Sequence, residues 1–163
     1  MTAATTVASD SSQILVFSLL EENSAKRMDY GVEVSQVQEI GLLENISRVP
    51  NAPAYVKGVM NLRGKIITII DVKEKLGFQA IKEVNASTRI LIVGVGSMLS
   101  GLLVDEVDEV IRIPASEIEP NPTSIAESSP YVKGIAKIQE RLIVIIDLKM
   151  LLSEGEQQEI GGQ

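Results

Sequence analysis

The sequence predicts an all-β protein built as two packed five-stranded β-barrels with short helices, and three observations carry that expectation. Short runs rich in Ile, Val and Leu, bounded by turn residues, recur along the chain. A long internal repeat is present: Tyr55-Val56-Lys57-Gly58 through Ile69-Ile70-Asp71-Val72-Lys73 to Leu76 realigns on Tyr131-Val132-Lys133-Gly134 through Ile145-Ile146-Asp147-Leu148-Lys149 to Leu152, always 76 positions later. Upstream, Gly31, Val34, Val37 and Glu39 fall on Gly101, Val104, Val107 and Glu109 at a spacing of 70, so the second copy has a longer loop. A period this long is a duplicated small domain rather than a short solenoid repeat. Finally, runs such as Ile66-Ile67-Thr68-Ile69-Ile70 lack strict alternation. Both faces of such strands are expected to be buried, one filling its own barrel and the other packing on the sister barrel. Closure into barrels also removes the exposed edges of an open sheet.

Each element follows in order. Residues 13–19 form the first strand, and 21–29 a charged loop. Residues 30–34 alternate apolar and polar. The next four, Ser35-Gln36-Val37-Gln38, read as one helical turn with Ser and Gln at capping-box spacing, and Asp105 and Asp108 occupy the matching places in the second copy. A strand resumes over 39–43, and 44–54 is a loop punctuated by Pro50 and Pro53. Strands 56–62 and 65–70 make a hairpin around Arg63-Gly64, where glycine supplies the positive φ of a tight turn. A short helix starts near Asp71 as N-cap, with Glu74 three residues on, and stops at Gly77. Residues 79–88 connect the copies. Strands at 89–95, 98–104, 109–113, 132–138 and 142–146 and a helix at 148–152 complete the second cycle. This divides the chain into a 1–12 tail, a first barrel at 13–78, a second at 89–152 and a 153–163 tail, with strand exchange between the barrels allowed. The loop 114–130, with four prolines and Asn121, Thr123 and Ser124, fits either a functional or a disordered segment.

Composition narrows the function. The 163 residues carry 22 acidic against 15 basic side chains, a net charge of −7 that weighs against a nucleic-acid backbone as ligand. A barrel that binds single strands also needs aromatic platforms, and this chain is 3% aromatic with no Trp. There is no cysteine and no histidine, hence no disulfide framework, no thiolate site and no imidazole base or ligand. An acid–base hydrolase built on carboxylates would lack every usual companion group. No cofactor or metal is expected. Residues 1–12 are small and polar and do not read as a signal peptide, and no run is long enough for a membrane helix, so a cytoplasmic protein without direct membrane insertion is the expectation.

The repeat separates structural from functional candidates. Asp71 and Asp147 end a strand just before a short helix in both copies, which reads as helix capping rather than paired acid and base. Gly58 and Gly134 follow Lys57 and Lys133 in both copies and read as a bend where a strand begins. Glu39 recurs as Glu109, which leaves a structural role and a partner contact equally open. Arg63 differs, because its counterpart is Gln139 and Gly64 becomes Glu140. A guanidinium on a tight turn, retained in one copy only, is a candidate interface residue for its planar donor geometry.

The segments Val37-Gln38-Glu39-Ile40, Pro53-Ala54-Tyr55-Val56-Lys57-Gly58-Val59-Met60-Asn61-Leu62-Arg63-Gly64 and Ile70-Asp71-Val72 closely resemble the CheW family of chemotaxis coupling proteins, and the likeness runs over about 13–152. The resemblance implies two five-stranded barrels of SH3-like or OB-like type around a shared core. It implies a scaffold without catalytic activity that couples chemoreceptor cytoplasmic tips (methyl-accepting chemotaxis proteins) to the histidine kinase CheA in signalling arrays. It also implies that Glu39 and Arg63 lie close together and that Val37, Glu39, Asn61, Leu62, Arg63 and Gly64 belong to the receptor- and kinase-binding surface. A regulatory-domain fragment of a CheA-type kinase, or a coupling protein fused to a receiver domain, is the alternative within the resemblance.

Overall fold

The computed structural model describes residues 11–21, 27–79, 81, 84–120 and 130–153. In chain order these form β1 (Ser11–Leu20), β2 (Arg27–Glu33), a 3-10 turn (Val34–Gln36), β3 (Val37–Gly41), β4 (Val56–Leu62), β5 (Lys65–Asp71) and α1 (Val72–Lys75). They continue with β6 (Arg89–Val95), β7 (Met98–Val104), β8 (Glu106–Pro114), a 3-10 turn (Ala115–Glu117), β9 (Ile118–Pro120), β10 (Val132–Ile138), β11 (Arg141–Ile146) and α2 (Leu148–Ser153). The helical turn after β2 begins at Val34, one residue earlier than the capping-box pattern at Ser35 and Gln38 suggests. Its N-cap is Glu33, whose side chain makes no capping bond. The first strand begins inside the segment read as tail, and β2 takes in residues 27–29 of the expected charged loop. Within 114–130 the chain carries a 3-10 turn and β9; Asn121, Thr123 and Ser124 lie outside the described residues, as do 1–10 and 154–163.

Two sheets result, with strand orders β8-β1-β2-β11-β10-β9 and β3-β6-β7-β5-β4. Each is a five-strand circuit. In the first, β8 pairs with β1 while its continuation β9 pairs with β10, so one bent strand closes the barrel and is counted twice. In the second, a bridge between Ser47 and Val59 does the same work beyond β3. The two copies exchange strands. Strands β1 and β2 join the second copy's β8–β11, and β6 and β7 join the first copy's β3–β5. The seams are equivalent parallel pairs, β11 with β2 and β5 with β7. Residues 79–88 therefore link two strands of one sheet.

The absence of strict alternation in the sequence resolves into three cores. Ile14, Val16, Ile113, Ala136, Ile143 and Ile145 fill the six-stranded barrel, and Met60, Ile67, Ile69, Ile90, Ile92 and Leu103 fill the five-stranded one. The alternate residues of the same strands, among them Leu15, Phe17, Leu19, Leu91 and Val93, form a third cluster between the barrels with Leu148, Leu151 and Leu152 of α2. Burial on both faces is what period-2 geometry demands of a strand shared by two cores. The exception is Ile66, expected to be buried and found 68% exposed.

Glycines 58 and 134 sit at matched register shifts in β4 and β10. A Cβ on Gly58 would lie 2.3 Å from the carbonyl oxygen of Ser47, and one on Gly134 would lie 2.8 Å from that of Glu119. Both are places where the closing strand crosses over, and Gly58 additionally holds φ +147°.

Candidate functional site: a charged hairpin on the five-stranded barrel

The turn between β4 and β5 places Arg63 at φ 52° and Gly64 at φ 85°. Two central residues with positive φ match the right-handed twist of the flanking strands. The Asn61 side-chain oxygen accepts the Gly64 N–H at 2.8 Å and fixes the turn. From this tip the Arg63 guanidinium reaches back to β3 and donates two bonds to Glu39, Nη1 to Oε2 at 2.5 Å and Nη2 to Oε1 at 3.1 Å. Such two-pronged pairing defines the plane as well as the distance. Arg63 nonetheless remains 74% exposed, so most of the fork faces solvent.

Of the six residues that the resemblance groups, four meet at the tip and two are half-buried beside the cores. Glu39, Asn61, Arg63 and Gly64 come together at the tip. Val37 packs against the cluster between the barrels, and Leu62 against the interior of the five-stranded barrel. Sequence reasoning missed Ile40 and Ile66, large apolar side chains exposed on β3 and β5. Ile66 lines an open groove of about 440 Å³ with Gln38, Lys65, Gly96, Ser97, Met98 and Leu99. A signal was available: their repeat equivalents Val110 and Leu142 are also apolar, and these too are exposed.

The corresponding end of the other barrel is built differently. Gln139 alone of its turn residues is left-handed, at φ 56°. Glu109, the counterpart of Glu39, pairs instead with Arg141 at 2.9 Å. Arg141 also meets Asp29 and Asp108, each at 3.3 Å, and Arg27 bonds Asp108 and approaches Asp29 and Glu106, each at 3.6 Å. The hydrogen bond to Asp108 holds the Arg27 pKa above its ordinary value.

The repeated aspartates cap helices. Asp71 Oδ1 accepts the Glu74 N–H at 3.3 Å and Asp147 Oδ1 the Met150 N–H at 3.2 Å, while the second Asp71 oxygen accepts the Ile81 N–H at 2.8 Å. Asp71 is fully buried, and desolvation raises its pKa against the opposing backbone hydrogen bonds. Among the described residues no group of three or more acidic side chains is arranged to hold a metal ion, and no helix is long and apolar enough to cross a membrane.

Two circuits of strands sharing a central apolar layer, with a charged tip on one of them, define a class of paired-barrel proteins. The model of the CheW-like domain matches residues 13–156, and the chain belongs to that family. The chemotaxis protein CheW of Klebsiella aerogenes is 32% identical over 145 residues, covering 88% of this chain and 83% of the relative. That of Bacillus subtilis is 33% identical over 131 residues, covering 80% and 83%. Among solved structures, the scaffolding protein CheW of Thermoanaerobacter tengcongensis superposes with a TM-score of 0.74 at 37% identity, covering 86% of each chain.

Proposed function

We propose that this protein is a chemotaxis adaptor that couples chemoreceptor cytoplasmic tips to a CheA-type histidine kinase by protein–protein binding, without catalysis, in the cytoplasm. Family membership supports the class. The observation that carries the site is the Glu39–Arg63 pair, held on a turn fixed by Asn61 and displayed to solvent in one repeat only. A partner that covers this tip desolvates a preorganised charge pair, and complementarity there gives specificity and rate of capture. Exposed Ile40 and Ile66 supply apolar area on the same barrel. An adaptor that joins and leaves its partners suits interfaces near or below about 1,600 Å² in total, with strength from repetition in an assembly. Co-sedimentation of the protein with a receptor cytoplasmic fragment and CheA, omitting each component in turn, tests the reading. Kinase should pellet with receptor only when this protein is present, and kinase recovery that is indifferent to it sinks the proposal.

A further inference from the structure

We infer that α1 is a clip that fixes the angle between the two barrels. The layer between the barrels is almost wholly apolar, and apolar burial is non-directional: leucine and valine faces tolerate small rotations. Helix α1 adds contacts that do not. Lys73 is a buried lysine whose ammonium lies 3.4 Å from Asp105 Oδ2, with side-chain exposures of 3% and 10% for the pair. The same Asp105 oxygen accepts the Leu20 N–H at 2.8 Å. Leu20 ends β1 in the six-stranded sheet, α1 follows β5 in the five-stranded sheet, and Asp105 lies where the chain passes from β7 in one to β8 in the other. Two residues further along, the Lys75 ammonium sits 4.0 Å from the ring centre of Tyr55 and 5.3 Å from that of Tyr131. Those repeat-equivalent tyrosines precede β4 and β10, one in each barrel.

The duplicate helix shows that these contacts are a specialisation. In α2 the counterpart of Lys73 is exposed Lys149 and that of Lys75 is Leu151, buried in the central cluster. The counterpart of Asp105 is exposed Ser35. One helix therefore plugs the interface with leucines, while the other pins it with two lysines. A buried charge pair holds one geometry, since any rotation that separates it loses the attraction while the desolvation cost of both charges remains. The pin acts whichever partners the protein binds.

The test uses the absence of native cysteine. Spin labels at Ser97→Cys and Gln139→Cys, on exposed turns of the two barrels, report the inter-barrel distance by pulsed electron resonance; labels at Asn61→Cys and Ser97→Cys report within one barrel. In each background Asp105→Asn keeps an acceptor for Leu20 but takes the carboxylate away from the buried lysine, and should lower the Tm. Lys73→Met/Asp105→Asn removes both charges and should recover most of that loss. Its inter-barrel distance distribution should still broaden, by about twofold, because the apolar layer alone no longer selects one angle. Lys75→Met, which leaves the Lys73–Asp105 pair in place, should broaden it less. An inter-barrel distribution as narrow as wild type in both the double variant and Lys75→Met overturns the inference. Equal broadening of the within-barrel pair overturns it too, by showing general loosening.

Discussion

In the first repeat the carboxylate of Glu39 is met by an arginine from the very tip of the hairpin; in the second, Glu109 is met by Arg141, two residues past the tip. Arg63 serves one carboxylate and stays 74% exposed, whereas Arg141 contacts three and is 36% exposed. The same position on β3 and β8 has thus been neutralised in two ways. One arrangement leaves a guanidinium available to an incoming surface, and the other commits it to holding β2, β8 and β11 together. The comparison separates a displayed pair from a structural network even though both begin with the same repeated glutamate.

The largest expected effect tests the strand exchange that completes the barrel beneath each tip. Chains 1–79 and 80–163 expressed separately should each lack a cooperative thermal transition by circular dichroism, because each would have to close a barrel without the strands it uses in the whole protein. Mixing them should restore one transition. A cooperative melt from either half alone breaks the comparison at its root.

Next are the crossing glycines. Gly58→Ala should cost about 3 kcal/mol or more, from a Cβ driven against a backbone carbonyl at a positive φ, and Gly134→Ala about 1 to 2 kcal/mol, from crowding without that φ. Urea denaturation that ranks them the other way would show that the copies do not close alike.

At the tips, Arg63→Glu should weaken receptor or kinase capture about tenfold to a hundredfold while changing folding stability by less than about 1 kcal/mol. Adding Glu39→Arg should restore a local pair but not capture, and Gln139→Glu should leave capture within about twofold. Calorimetric titration against each partner, with a parallel melt, reads both quantities. Conversely, Arg141→Gln should cost about 1 kcal/mol of stability, more at low salt than at high, because it leaves Asp29, Glu106 and Asp108 to Arg27 alone and takes the arginine from Glu109. Equal stability losses for Arg141→Gln and Arg63→Gln in urea would erase the distinction.

The smallest effect is a pH dependence at Asp71. Its pKa is raised in the fold by burial, so between the ordinary carboxylate value and the folded one the native state holds more protons than the unfolded state. The contribution of this group to stability is therefore full below the ordinary value and falls as pH climbs through the folded one. Asp71→Asn should gain on wild type as pH rises from acid to neutral. A melting-temperature difference that is flat or falling over that range contradicts the assignment.

Strand positions and the helix caps were legible because each rests on local chemistry: turn residues, runs of Ile and Val, and an aspartate before a short helix. The Glu39–Arg63 contact came from the family resemblance and not from spacing, since a separation of 24 positions fixes no distance. The identity of the bent closing strand was not legible, because β9 is three residues long and its partner β10 lies beyond an uneven stretch of the repeat. Ile66 was misread because a run of isoleucines does not say which member falls at the open end of a barrel. Lys73 was invisible for a different reason. Its repeat partner Lys149 is exposed, and nothing local distinguishes a lysine on the seam from one in water.

The exchanged strands also give the chain an order of assembly. Strands β3 to β7 are consecutive, so everything needed for the five-stranded barrel has left the ribosome once Val104 and a tunnel's length beyond it have been made. The other barrel is split around it: β1 and β2 are made before it and must wait, with Ile14 and Val16 uncovered, until β10 and β11 arrive. During synthesis the molecule is thus a finished barrel with an unsatisfied sticky arm at its front. That arm is the segment most in need of a chaperone, and slowing translation after Val104 should lengthen the period in which it can pair with the wrong chain.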